Sequence, residues 1–315
     1  MTLVLTVTRQ AWESHVDAVA SRVNGLIPVV KGNGYGFGRD WLAQRAARLG
    51  THLAVGTADE VSSVPADRTP VILTPLVNPR PDLREDAVAT IGSPAHVDGA
   101  AGRPVLVKVR SSMNRHGCAP DVAHELVAAA RRAGCSVLGL SVHPPLAGGH
   151  QDHVREIADI VRSLDTSLKD LAVWVSHVDG DGLDELRREF DGREWFLRLG
   201  TALWHGDKSM FHLGAEVLDV HRVRGGDRAG YRLASIANDG WLVIIGCGSA
   251  HGVVPLDDGR SPFHFDRRRL TLLEPPHMHT SMVVIDDDMA VPRIGDRVDV
   301  QRPLIMTAVD RIDWV

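Results

Sequence analysis

Between Ile27 and about residue 205, eight short apolar, β-branched runs alternate with amphipathic stretches. The runs are IPVVK (27–31), HLAVGT (52–57), PVILTP (70–75), AVATIGS (87–93), VLVKV (105–109), VLGLSV (137–142), LAVWVS (171–176) and WFLRLG (195–200). Several are almost continuously apolar, as parallel strands covered on both faces must be. Residues 40–49, 122–133 and 153–164 carry helical spacing. Eight strands alternating with helices predict an α/β fold, a (β/α)8 TIM barrel. A doubly wound parallel sheet is the competing arrangement. A chain of 315 residues suits a barrel plus a smaller domain.

After about residue 210 helical periodicity fades. EVLDVHRV, GYRLASIA, WLVIIG, HMHTSMVVI and DRVDVQRPLIM follow, separated by Gly, Asp and Pro. That pattern predicts an antiparallel β domain. We therefore expect a barrel over 10–208 and a C-terminal β domain over 209–315, joined by an N-terminal strand within 1–9. The opening MTLVLTV has neither a basic n-region nor a small-residue cleavage site, so it reads as that strand and not as a signal peptide. No apolar run reaches the roughly 18 residues of a membrane span. Net charge is −5 and the basic residues are scattered, which gives no footprint for nucleic acid. The one dense basic run, Arg267–Arg269, reads as a solvated loop or an edge-strand guard. Three cysteines, an odd number in a long chain, point to thiols in a reducing cytoplasm.

The first barrel run ends in V-V-K-G-N-G-Y-G-F-G (29–38). Barrel active sites sit at the C-terminal ends of strands. A lysine there is partly desolvated, which lowers its pKa and favours the nucleophilic neutral amine that a Schiff base needs. Alternate glycines let backbone approach a ligand. A Gly-rich turn with a surface lysine fits the local features equally well. The spacing matches neither the Walker A loop nor the Rossmann fingerprint.

Further segments fall in a family order. A barrel followed by a β domain, with K-x-x-x-Y-G after the first strand, resembles the fold-type III enzymes that use pyridoxal 5′-phosphate (PLP), specifically the alanine racemase family. KVRSSMNRHG (108–117), SVHPP (141–145), LRLGTALWHG (197–206) and RIGDRV (293–298) are similar to family segments in the same order. The resemblance implies a Schiff base between PLP and Lys31, which would also transfer protons. Tyr35, Gly200 and Thr201 would bind the cofactor phosphate, with Ser176 or His177 adding to that cup. His143 would pack on the cofactor ring. Arg198 would face the pyridine nitrogen and, because arginine keeps its proton, hold it unprotonated, which favours racemisation. Arg115 would grip the substrate carboxylate, and Lys108 matches a lysine that is often carbamylated and orients that arginine. Met278 and His279 match substrate-contacting positions. Family enzymes are homodimers with shared active sites, acting on a small amino acid.

The chain departs from the family at the second proton-transfer base, a tyrosine within G-Y-x-D-G. The best register here, GSAHG (248–252), places Ser249 at the tyrosine and His251 at the aspartate; a shift of two places Cys247 there. Cys247 or His251 titrates closer to neutrality than a serine and would serve better as a base. A second departure is PPHMHTSM (275–282), where strand periodicity would set His277 and His279 on one face. The pair resembles one that holds a metal beside PLP in related D-threonine aldolases and D-serine dehydratases; two substrate-facing or exposed histidines, with no metal, is the reading adopted. Three functions compete: an amino-acid racemase, which leads; a PLP-dependent lyase of the aldolase or dehydratase type, possible with a metal; and a non-catalytic PLP-binding protein.

Overall fold

The computed structural model describes residues 2–315. Its contacts divide the chain into His15–Gly206 and a second unit, the residues up to Ser14 with Asp207–Val315. The chain opens with β1 (Leu3–Val7) and α1 (Arg9–Ser21). There follow β2 (Leu26–Pro28), α2 (Arg39–Ala46), β3 (His52–Val55), β4 (Thr69–Pro75), β5 (Val88–Ile91), β6 (Pro104–Lys108), α3 (Ala123–Arg132), β7 (Ser136–Ser141), α4 (His150–Arg162), β8 (Ala172–Val175), α5 (Gly180–Glu189), β9 (Trp195–Leu199) and α6 (Thr201–His205).

All eight apolar runs form strands, and all eight strands are parallel, bonded in the order β2-β9-β8-β7-β6-β5-β4-β3. The two ends of that order meet. Val29 bridges to Ala54, and Val30 N–H donates to Ala54 O at 2.8 Å. The sheet is thus a nearly closed barrel, and the doubly wound alternative is excluded. The alternation with helices is incomplete, however. No helix lies between β4 and β5, where Pro79 and Pro81 interrupt the segment. Between β5 and β6 only two 3-10 turns form, in a stretch that carries Gly99 and Gly102. The interior is filled in part by large side chains that meet across it, His52 with Trp174 and Trp174 with Phe196, while Leu53, Val55, Leu106 and Leu197 are all 0% exposed.

The second unit contains β10 (Phe211–Val223), β11 (Arg228–Ala229), β12 (Ala234–Ser235), β13 (Gly240–Ile245), β14 (Phe263–Phe265), β15 (Arg268–Arg269), β16 (Thr271–Leu272), β17 (Ser281–Asp286), β18 (Arg297–Val300) and β19 (Arg311–Trp314). Strand β10 is its spine, antiparallel to β1, β13 and β18. Strand β1 also runs parallel to β19. Two strand expectations fail here. GYRLASIA folds mainly as a turn between the two-residue strands β11 and β12. The run HMHTSMVVI becomes extended only at Ser281; Pro275 and Pro276 precede a turn closed by His277 N–H donating to Thr280 O at 2.8 Å. His277 and His279 therefore share no strand face. No helix among the described residues is long and apolar enough to cross a membrane.

Gly139 in β7 is forced by packing. A Cβ there would overlap Ala172 O of the neighbouring strand and lie 3.2 Å from the Trp174 ring. Gly139→Ala is expected to destabilise the fold by about 1–3 kcal/mol through overpacking. A denaturant midpoint unchanged from the parent protein would refute this.

Candidate active site

The residues marked out in the barrel gather at the C-terminal ends of its strands. The chain stays extended beyond β2 because Val29 N–H donates to Leu199 O and Val30 N–H to Ala54 O, both at 2.8 Å, which carries Lys31 to the barrel mouth. The next glycines, Gly32, Gly34, Gly36 and Gly38, all have positive φ, and so does Tyr35 at 55°. For a tyrosine that conformation is uncommon. It is held by His205 Nε2, 2.7 Å from Tyr35 O, and by Asn33 Oδ1, which accepts from Gly36 N–H at 3.2 Å. Tyr35 is buried, and its hydroxyl lies so close to Gly200 that a Cβ on Gly200 would overlap it. Only glycine at 200 leaves room for that phenol. Thr201 follows, exposed, as the first residue of α6.

Arg198 is the buried centre of the site, 6% exposed. Its guanidinium donates to Ser141 Oγ at 2.9 Å, Val142 O at 2.7 Å, Trp174 O at 3.3 Å and Val175 O at 3.4 Å. Burial, with a smaller contribution from Arg115, pushes its pKa down to about 10, so it stays charged at neutral pH. Lys108, also 6% exposed, is driven to about 6 by burial and by the charges of Arg198 and Arg115. Its amine is therefore mostly neutral at pH 7. Burial and the same neighbours bring His143 down to about 2, which makes it a neutral imidazole. Its Nδ1 hydrogen-bonds Ser176 Oγ, and its ring lies 4.6 Å from that of His177. The hydroxyl of Ser176 thus orients His143, and His177 Nδ1 meets Pro145 O at 3.0 Å. Both side chains are engaged with the segment that follows β7. Arg115 is exposed, on a loop that folds back on β6 where Cys118 N–H donates to Lys108 O at 3.0 Å. Lys31 remains open to solvent, yet partial burial, Arg115 and Arg198 lower its pKa, with Glu60 alone opposing them.

In the second unit Cys247 is 0% exposed and burial pushes its thiol up, so it is corrected from candidate base to core residue. His251 is also committed: Nδ1 accepts from Gly248 N–H at 3.2 Å and Nε2 stands 3.4 Å from Asp310. Both of its nitrogens are engaged, so it too is corrected, from base to structural link. Ser249, Met278 and His279 are exposed, with Ser249 N–H donating to His277 O at 2.7 Å and Ala250 N–H to Met278 O at 2.9 Å. His277 bonds Glu274 and stacks on Tyr231, whereas His279 meets the His251 ring edge at 5.9 Å. The two histidines point to different partners. No group of three or more metal-ligating side chains occurs among the described residues.

A family model described as the N-terminal domain of alanine racemase matches residues 7–180. The chain belongs to this family. Among solved structures it is similar to alanine racemase from Bartonella henselae, which has covalently bound pyridoxal phosphate, at 18% identity over 100% of both chains with a TM-score of 0.72. Alanine racemase from Clostridium difficile 630 gives 15% identity over 99% of this chain and 95% of that one, TM-score 0.74. The biosynthetic alanine racemase from Pseudomonas aeruginosa gives 18% over 100% and 99%, TM-score 0.70. No curated protein matches. These likenesses establish the fold: an alanine racemase-type barrel with a β domain.

Sequence reasoning missed Ser141, Ser111 and Glu60. Ser141 and Ser111 hold Arg198 and the His143 carbonyl, respectively. Both lie at or just beyond a strand end, the position where side chains converge on a barrel mouth. Lys108 provides a pH test. An unfolded lysine has a pKa of about 10.4, so between about pH 6 and 10 the unfolded chain carries a proton that the folded chain lacks. Lys108 therefore makes stability rise with pH across this window. Lys108→Met is expected to be stabilised most at pH 6 and progressively less towards pH 10. Parallel curves from chemical denaturation would contradict it.

Proposed function

We propose that this chain holds PLP at the barrel mouth and is an amino-acid racemase. The observation that carries the reading is the fit of the site to the cofactor. The Tyr35 hydroxyl is set against the Gly200 backbone, where any Cβ would overlap it, so a hydroxyl and the start of α6 stand together. Around Lys31 stand Arg115 and Arg198, two cations suited to a phosphorylated ligand. Lys31 would hold the cofactor through its amine. Tyr35, Gly200 and Thr201 would receive the phosphate, and the neutral His143 would lie against the ring. PLP, when bound, supplies a carbonyl for the substrate's amino group and a ring that draws electrons from the α-carbon.

The protein's part is to bind, orient and move protons. Arg115 is exposed and suited to grip a carboxylate by a bidentate contact. Arg198, anchored by four oxygens and charged at neutral pH, presents a donor that does not release its proton. The lowered pKa of Lys31 increases the neutral fraction able to accept the α-proton. Buried and mostly neutral, Lys108 has the uncharged amine that carbamylation requires, in line with the resemblance. Inversion needs a second proton-transfer group, and the exposed Ser249 and His279 remain in contention once Cys247 and His251 are set aside. The loss of those two favours a second reading in which Lys31 exchanges the α-proton of one enantiomer without inverting it. We also propose a homodimer, as the resemblance implies.

The deciding experiment incubates the PLP-reconstituted protein with L- and D-amino acids in deuterated water. α-Deuteration with loss of enantiomeric purity is expected; deuteration with retention selects the one-base reading, and keto products select a lyase. No deuteration of any amino acid tested would overturn both proton-transfer readings. Lys31→Ala should abolish covalent PLP retention and exchange. Arg115→Ala should lower kcat/KM by about a hundredfold, the scale of losing one partner from a charge pair.

A further inference from the structure

Glu60 belongs to none of the roles above, yet it is the carboxylate nearest to Lys31 in effect. It lies in the 3-10 segment Ala58–Ser63 after β3, and its side chain is 14% exposed. Oε1 accepts from Gly32 N–H at 3.0 Å and Oε2 from Gly56 N–H at 2.6 Å. Gly32 directly follows Lys31. The same peptide is held from its other side, since Arg39 Nη1 donates to Gly32 O at 2.8 Å and stands 3.6 Å from Glu60 Oε1. Gly56 is fixed in turn, because its carbonyl accepts from Thr74 N–H at 3.0 Å and Thr74 Oγ1 at 2.9 Å. A Cβ on Gly56 would lie 3.1 Å from Glu60 Oε2 and 3.4 Å from Lys31 Cβ. Glycine at 56 therefore lets the carboxylate and the lysine stem share one narrow space between the ends of β2 and β3.

We propose that Glu60 is a positioning residue for the Lys31 amine: it clamps the peptide after Lys31 and places one negative charge beside a barrel mouth otherwise lined with cations. The inference rests on the proposed function, in which Lys31 is the cofactor anchor and a proton-transfer group. The electrostatics agree with the geometry. Glu60 alone raises the proton affinity of Lys31 against burial, Arg115 and Arg198, and its charge also reaches Tyr35. Without Glu60 the amine would lose its proton at lower pH and its backbone would lose one of two clamps. The carboxylate thus tunes how readily Lys31 accepts and releases a proton, without touching substrate.

The test uses the full chain without PLP and reads the pH dependence of Lys31 acetylation by a trace reagent, followed by mass spectrometry. The chain has only four lysines, and the exposed Lys169 and Lys208 serve as internal standards. Glu60→Gln keeps the size of the side chain and removes its charge. Its Lys31 midpoint is expected to fall by about one unit, the lower end of what a neighbouring opposite charge confers. Arg39→Gln frees the carboxylate from its cation, and its midpoint is expected to rise. A merely structural role would change melting temperature in both variants without moving the two midpoints in opposite directions. Midpoints equal to that of the parent in either folded variant overturn the inference. Should the parent fail to retain PLP while the midpoints still diverge, the proposed function fails and the Glu60–Lys31 coupling stands. Retention of PLP with unmoved midpoints sinks the coupling alone.

Discussion

A buried guanidinium organises this barrel mouth. Moving a charge out of water is costly unless it is well hydrogen-bonded. Arg198 meets that condition with oxygens at the ends of two neighbouring strands, β7 and β8, and just beyond them. The bonds tie together the segments that carry His143 and Ser176, so the cation sets their geometry as well as their electrostatics. It contributes to the lowered proton affinity of Lys31, Lys108 and His143.

Opposition to this positive field is slight. Glu60 is the one carboxylate that raises the affinity of Lys31 for its proton. Lys108 relieves the remaining repulsion by giving up its proton, and His143 by never taking one. An arrangement of this kind holds like charges together at a cost in stability, and a dianionic phosphate would reduce that cost. Binding and folding are then coupled, since a ligand held only by the native state stabilises it by mass action. The same field explains why the proton affinity of Lys31 is lowered in a site that stays open to solvent.

The barrel was legible because its signal is redundant: eight runs, several of them apolar on both faces, leave few arrangements that bury them all. Lys31, Arg198 and His143 stood out in the sequence because each lies within or just beyond a strand. Helices between β4 and β6 were over-read, since proline and glycine prevailed over the expected alternation. Glu60 escaped notice because its link to the Lys31 segment is a bond to the backbone N–H of Gly32, 28 residues away. Ser176 is engaged by a histidine just beyond the adjacent strand, a partner that sequence spacing does not reveal.

The β unit shows a different limit. Cys247, His251 and His277 attract attention as chemistry-bearing residues near a missing tyrosine, yet the fold uses each one internally. Cys247 O accepts from Ser281 Oγ at 2.7 Å while the thiol fills the core. His251 links its own turn to Asp310, which also accepts from Thr2 and Leu3 N–H at 2.9 and 2.8 Å, so the histidine helps to fasten β1. His277 is committed to the buried Glu274, whose carboxylate also accepts from Tyr231 and Arg232 N–H. A titratable side chain is available for chemistry only after its hydrogen bonds to the fold have been counted. By that measure Ser249 and His279 are exposed, whereas the cysteine that residue type alone would favour lies in the core.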